Sequence, residues 1–314
     1  MDTHTLQERA CIIRRIRKFF DDRMYLEVDT PLLSSTLIPE SCLEVFETTL
    51  LVPSKYTHSQ PLWLIPSPEF WMKKLISTHT VNMYQLCHCF RNGESRGRIH
   101  NPEFSMLEYY TMEADYTDSL EITKELFAHL SLQKPFIQMT VAEAFERYAG
   151  FDLFDTVQKG TLAFQAQKLG LEFNPQWSVS ALYDLIFVHA VEPRLSHDNP
   201  VVLMDYPTFV PCLAKKNSDG LTVQRWELYL DGVELANCYS EETDPHYVQQ
   251  FFDHESLVKK QSALVPHAVD TEYWKIFKDF PHCSGVALGV DRLIMILLGS
   301  HSIDNVIPFS LIGY

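Results

Sequence analysis

Arg225-Trp-Glu227-Leu-Tyr-Leu-Asp231-Gly232-Val-Glu234-Leu-Ala-Asn237-Cys-Tyr-Ser-Glu241 reads as a strand, a two-residue turn and a returning strand. Asp-Gly between alternating apolar residues is a strong hairpin signal, because both turn positions need positive φ. So short a turn commits this part of the sheet to antiparallel pairing. Leu230 then pairs with Val233, and Tyr229 with Glu234. Glu227 shares a face with Tyr229, which sets Glu227 and Glu234 diagonally on one face, roughly 7–8 Å apart at the backbone. Two carboxylates so placed can converge on a hard cation such as Mg²⁺. A solvated acidic sheet face is the plainer alternative. Strict alternation sends Asn237 and Glu241 to the other face, so a bulge or bend is needed if they join the same site.

Outward from the hairpin, strand patterns recur at 25–30, 44–52, 62–66, 81–91, 102–112 and 201–206. Helical patterns lie between them. Thr5 to Arg23 carries apolar residues at three- and four-residue spacing, with Arg14, Arg15, Arg17 and Lys18 between. That basic cluster suits an RNA contact or, more simply, a solvated helix face. A helix starts at Ser67 with Pro68 in its first turn, and Thr140-Val-Ala-Glu143 is a capping box for another. Residues 150–200 are helical in pattern without a legible motif. A helix follows from about 245 to 261, and Gly285 to Leu298 reads as a strand running into a buried helix. Strands in runs with helices inserted between them indicate an α+β fold, an antiparallel sheet flanked by helices, in place of a doubly wound one.

A second chemical stretch is Phe90-Arg91, the polar loop 92–101, and Asn101-Pro102-Glu103-Phe104. Phe104, Glu108 and Tyr110 share a face by period-two counting. Arg91 offers a fixed fork for phosphate and Phe104 a face for a purine; Phe104 serves equally well as plain core.

The composition restricts the partners. With 26 Lys+Arg against 41 Asp+Glu, the net charge of -15 disfavours a broad nucleic-acid footprint. Seven scattered cysteines make no disulfide framework and fit a reducing, cytoplasmic setting. Cys87-His88-Cys89 lacks the second ligand pair of a zinc site, so buried strand thiols are expected there. The N-terminus has no signal-peptide pattern. The longest apolar run, Leu293 to Leu298, is too short to span a membrane.

Three segments in order resemble the signature motifs of class II aminoacyl-tRNA synthetases: the helix and strand ending at Pro31, Phe90-Arg91 through Phe104, and Gly285-Val-Ala-Leu-Gly289-Val-Asp291-Arg292. Pro68-Glu69-Phe-Trp-Met-Lys73, the run Pro102 to Tyr110, and the Glu227 to Glu241 hairpin are similar to the lysyl-tRNA synthetase catalytic domain. The motif 1 helix starts at once, leaving no room for an N-terminal anticodon-binding barrel. A core this short resembles the elongation factor P–(R)-β-lysine ligase family, whose motif 3 is close to Pro281-His-Cys283-Ser-Gly-Val-Ala287. Ala287 stands where lysyl-tRNA synthetases usually have Gly. The motif 2 loop departs from the pattern, being one residue longer before His100, which bears on Glu94, Arg96 and Arg98.

The resemblance implies one class II catalytic domain over 1–314 with a helical insertion at about 140–200, and a homodimer through motif 1. It implies ATP and Mg²⁺ as cofactors and an aminoacyl adenylate as intermediate. Arg91 and Arg292 would be catalytic and bind ATP with Glu94, His100 and Phe104. Glu227 and Glu234 would hold Mg²⁺. Glu69, Glu108, Tyr110, Asn237, Glu241 and Ala287 would line the amino-acid pocket. The implied partners are a lysine-type amino acid and elongation factor P, without tRNA or membrane. Charge supports the substrate class: a cation is costly to desolvate unless paired, so a carboxylate-rich pocket favours a diamino acid. The alternatives are a tRNA or small-molecule acceptor, an ammonia-dependent asparagine synthetase (against which Glu69 argues), and a non-catalytic regulatory paralogue.

Overall fold

A computed structural model describes residues 1–52, 58–94 and 97–311. Arg96 lies outside the described residues. Two compact units divide the chain, Met1–Leu132 with Glu241–Tyr314, and Gln133–Ser240.

In the first unit, helix α1 spans Thr3–Asp21, capped by Asp2, whose side chain accepts from Thr5 N at 2.8 Å. It buries Ile12, Ile16, Phe19 and Phe20. Phe20 stacks on Tyr84 at 4.8 Å between ring centroids and meets Tyr109 at 4.9 Å. Three members of its basic cluster bond within the chain: Arg15 to Ser131, Arg17 to Glu27 and Lys18 to Asp22. Strands β1 (Leu26–Glu27), β2 (Leu33–Ser34), β3 (Glu47–Val52) and β4 (His58–Leu64) follow. Then come α2 (Glu69–His79), β5 (Met83–Phe90), β6 (Glu103–Met112) and α3 (Tyr116–His129).

The second unit holds β7 (Ile137–Thr140), α4 (Val141–Ala144), α5 (Leu153–Gln158), α6 (Leu162–Lys168), α7 (Val179–Ile186), β8 (Val201–Pro207), β9 (Thr222–Leu230) and β10 (Val233–Ser240). The chain then returns to the first unit with α8 (Pro245–Ser262), β11 (Cys283–Gly289) and α9 (Val290–Leu297).

Within the first unit the strands run β1-β5-β6-β11, β1 parallel to β5 and the other pairs antiparallel. A smaller sheet orders β2-β4-β3. In the second unit the order is β10-β9-β8-β7, antiparallel except for β7 beside β8. Antiparallel sheets flanked by helices are thus the observed architecture. Around Phe145, Tyr183 and Phe187, with centroid distances of 5.2 and 5.9 Å, the helices of residues 141–191 build the second unit's core.

Several elements differ from the sequence reading. The 25–30 pattern yields only the two-residue β1, since Pro31 cannot extend a ladder. The α2 helix starts at Glu69, with Pro68 as its N-cap. The Thr140–Glu143 capping box forms, and its helix passes into a π turn over Phe145–Ala149. Strand β7 is absent from that reading: four residues leading straight into a helix show too few alternations to register. Cys87 and Cys89 are buried on β5 with their sulfurs 3.9 Å apart, while His88 points to the other face and meets Glu103 at 2.9 Å.

Candidate active site

The β6–β11 register places Tyr110 opposite Gly285 and Glu108 opposite Ala287, so these four share a face with Phe104 and Met106. Glu108 is buried, and its Oε1 accepts from the Tyr110 hydroxyl at 2.6 Å. Its Oε2 is buried without a hydrogen-bond partner. Burial, and then the charge of Glu69, push the Glu108 carboxyl well above its ordinary range. Burial thus disfavours its charged form. Gln85, opposite Glu108 on β5, holds its Oε1 against Thr30 and likewise buries an unpartnered Nε2.

Glu69 sits at the N-terminus of α2, where the helix dipole favours an anion. One turn on, Lys73 is 1% exposed, and its Nζ lies 2.6 Å from Glu69 Oε1 and 2.6 Å from Glu241 Oε2. Glu241 is buried; its backbone N donates to Cys283 O, which fixes it beside β11. Its Oε1 faces Gly285, where an added Cβ would lie 2.6 Å away. Burial pushes the Glu241 carboxyl up to about 7, against the pull of Lys73. Burial also works against the Lys73 charge, but Glu241 and Glu69 outweigh it and hold its pKa well above the ordinary value.

Farther along the same strands, Arg91 is held by its backbone N–H to Pro102 O at 3.0 Å. Its guanidinium lies 5.3 Å from the Phe104 ring centroid, with Nη1 3.9 Å from Glu94 Oε1. Arg91 Nε is buried without a hydrogen-bond partner, an orphaned donor suited to an anionic ligand. His100 Nε2 is 4.0 Å from the other Glu94 oxygen. Burial, then Arg292, lower the His100 pKa, so it is a neutral imidazole at pH 7. Arg292 opens α9 and donates from Nε to Ile99 O at 3.1 Å. Its neighbour Asp291 is buried, 2.6 Å from Arg9 of α1, and accepts from Ser105 N on β6 at 2.6 Å. One carboxylate thus ties together the three segments that carry the motifs.

The sequence reading gave no role to Lys73, Arg9 or Glu40. The Glu69–Lys73 spacing was legible as an i,i+4 ion pair; the other two meet the site only through tertiary contacts. Glu40 lies in a loop that Lys259 grips by the carbonyls of Glu40 and Leu43 at 2.9 and 2.5 Å. Asn92 N bonds Glu44 O in the same loop. Burial and then Glu69 push the Glu40 carboxyl up to about 7.

In the second unit, Asp231 (φ 53°) and Gly232 (φ 67°) form the expected turn, with Leu230 opposite Val233 and Tyr229 opposite Glu234. A register shift between Glu234 and Ala236 supplies the required bulge, placing Asn237 opposite Glu227 and on its face. Glu227 Oε2 accepts from Tyr206 at 2.6 Å and Tyr229 at 2.5 Å, and Arg225 pairs with Oε1. Arg225 also donates to Asn237 and lies 4.4 Å from the Tyr206 ring centroid. No three metal-type side chains converge among the described residues. Mg²⁺ needs no more than one or two carboxylates when phosphates complete its shell. Glu227 and Glu234 are hard donors on one face, and both Glu227 oxygens have partners in the Tyr206, Tyr229 and Arg225 side chains.

Residues 2–312 match the family model described as tRNA synthetases class II (D, K and N). The chain belongs to the class II tRNA synthetases. Among curated relatives, it is 36% identical over 312 residues to an elongation factor P–(R)-β-lysine ligase of Vibrio atlanticus (strain LGP32), covering 97% of this chain and 94% of that protein. The same name is carried by a Pasteurella multocida (strain Pm70) protein, 35% identical over 308 residues, covering 98% and 94%. An Avibacterium paragallinarum protein of that name is 37% identical over 309 residues, covering 98% and 95%. Within the class II synthetases, the chain thus belongs with the elongation factor P–(R)-β-lysine ligases. No helix among the described residues is long and apolar enough to cross a membrane.

Proposed function

We propose that the protein activates a lysine-type amino acid, (R)-β-lysine, with ATP and transfers it to a lysine side chain of elongation factor P. The observation that carries this reading is the set of three carboxylates gathered around Lys73 and Tyr110, the buried Glu108 and Glu241 and the partly buried Glu69, with an unpartnered oxygen on Glu108. Buried carboxylates favour ligands that bring cations. A diamino acid supplies two ammonium groups.

In this reading Arg91 holds the α-phosphate and the substrate carboxylate in line, while Phe104 stacks the adenine. Glu94 and neutral His100 contact the nucleotide, and Arg292 takes the far phosphate. Tyr110 and Ala287 complete the amino-acid pocket. Glu227 and Glu234 hold Mg²⁺, which when bound neutralises phosphate charge. A carboxylate oxygen of the substrate bonds to the α-phosphorus, and the bond to pyrophosphate breaks. The acceptor amine then attacks the acyl carbon, AMP leaves, and the amine proton passes to solvent. Both steps need positioning and charge stabilisation and no protein nucleophile. The reading includes a single catalytic domain with an inserted helical segment at about 140–200, a homodimer, a cytoplasmic setting and no tRNA.

The test is ATP–pyrophosphate exchange with α-lysine, β-lysine, aspartate and no amino acid, followed by intact mass of elongation factor P incubated with enzyme, ATP and β-lysine. Exchange is expected with the lysines and fastest with β-lysine, and elongation factor P should gain one β-lysyl mass. Exchange with aspartate alone refutes the pocket reading. Exchange with nothing makes the chain a regulatory paralogue, and efficient charging of a tRNA refutes the acceptor.

A further inference from the structure

Lys73 is a fully buried cation at the place where the proposed substrate needs anions. It touches two of the three pocket carboxylates at 2.6 Å each. The groups whose charge it feels come from every element around it: Glu69 on α2, Glu241 ahead of α8, Glu108 on β6, Tyr273 in the 273–279 turn, Cys283 on β11 and Glu40 in the loop after β2. A surface lysine would be replaceable; one with no water around it is held by its partners alone.

We propose that Lys73 is a positioning residue that bridges and aims Glu69 and Glu241, so that the amino-acid pocket binds a diamino acid at neutral pH. This rests on the lysine-type substrate reading above. Two carboxylates this close to a shared partner repel each other, and the Lys73 charge favours the ionised form of buried Glu241. Lys73 offsets the repulsion by bridging them. Its Nζ meets Oε2 of Glu241, while Oε1 is held against Gly285 and beside the Tyr110 ring.

Glu241 is already pushed up to about 7 with Lys73 in place. Removing the cation raises it further and favours the neutral form of Glu241 at neutral pH. The experiment is Lys73→Met, with Lys73→Arg as the charge-retaining control. Exchange kinetics and calorimetric β-lysine binding are followed from pH 6 to 9. In Lys73→Met the KM for β-lysine should rise at least about tenfold at pH 7, one decade per unit of displaced ionisation, and recover toward pH 9. The KM for ATP should stay within about twofold, since uniform loss of ATP binding is a separate defect. Lys73→Arg should keep the wild-type pH profile.

A Lys73→Met enzyme with unchanged amino-acid KM and pH profile overturns the inference, as does parallel loss of ATP and amino-acid affinity. Should Lys73→Met fail to fold, Lys73→Arg decides alone: a profile displaced upward by a unit or more refutes it. Wild-type exchange with β-lysine is the control. Its absence would sink the substrate reading itself, whereas its presence beside an unaffected Lys73→Met sinks only the role of Lys73.

Discussion

Gly285→Ala is the sharpest test of where the amino-acid pocket lies. A Cβ at Gly285 would stand 2.5 Å from Tyr110 Cε1, 2.6 Å from Glu241 Oε1 and 2.9 Å from Tyr110 Cδ1. Non-bonded heavy atoms need about 3.5 Å or more, so ring and carboxylate must each retreat by about 1 Å. Neither is free to do so. Tyr110 is tied by its hydroxyl to Glu108, and Glu241 by Oε2 to Lys73. Overpacking of this kind costs about 1–3 kcal/mol, and a displacement of about 1 Å in a positioned group lowers rate by up to about 100-fold. In ATP–pyrophosphate exchange, kcat/KM for β-lysine should fall about 10- to 100-fold, a loss of about 1.4–2.7 kcal/mol in transition-state stabilisation. The KM for ATP should hold, because Arg91 and Phe104 are untouched. Thermal unfolding should move down by about 2–6 °C. Unchanged exchange and melting would refute the tight apposition of Gly285, Tyr110 and Glu241; equal loss toward ATP would refute its assignment to the amino-acid end.

Three further outcomes are expected. Ala287→Gly removes the methyl opposite Glu108 and should shift the kcat/KM ratio of α- to β-lysine by about 10- to 100-fold, since a methyl-sized change is worth about 1–3 kcal/mol in discrimination; competitive exchange with both substrates measures it. Glu40→Gln should change how stability depends on pH. The Glu40 carboxyl, raised to about 7 in the folded state, binds a proton there more tightly than in the unfolded chain, so its contribution is full below the unfolded value and is lost as pH rises through about 7. The variant should therefore gain on the wild type in urea midpoint between pH 5 and 8, and a constant difference would contradict the assignment. Asp291→Ala removes the buried carboxylate from half-buried Arg9, which keeps Val306 O and Ser105 Oγ, and frees Ser105 N. It should cost about 3–5 kcal/mol in urea unfolding, the range for breaking one side of a buried pair; a loss below about 1 kcal/mol would make that tie incidental.

Much of the fold was legible in one dimension because its signals are local. Asp231-Gly232 specifies a hairpin by backbone conformation alone, and period-two alternation put Phe104, Glu108 and Tyr110 on one face without a partner strand in view. What local patterning could not supply was register. Whether Asn237 joins Glu227 depends on one extra residue between Glu234 and Ala236, and a one-residue shift reverses every later side chain. Sequence alone left Asn237 on the wrong face unless a bulge was granted.

The sequence by itself determined the motifs, the antiparallel hairpins, and a carboxylate-rich set that includes Glu69, Glu108 and Glu241. The motifs and hairpins are each encoded in one short run of neighbouring residues. Only the tertiary structure decided how those charges are balanced. Lys73 meets Glu241 across 168 positions of chain, Asp291 reaches back to Arg9 in the first helix, and a raised Glu40 stands within reach of the charge on Glu69 and Arg91. Electrostatic state depends on distance in space and on exclusion of water. Neither quantity is written in the order of residues, so which of the acids share a cation is decided only once the chain is folded.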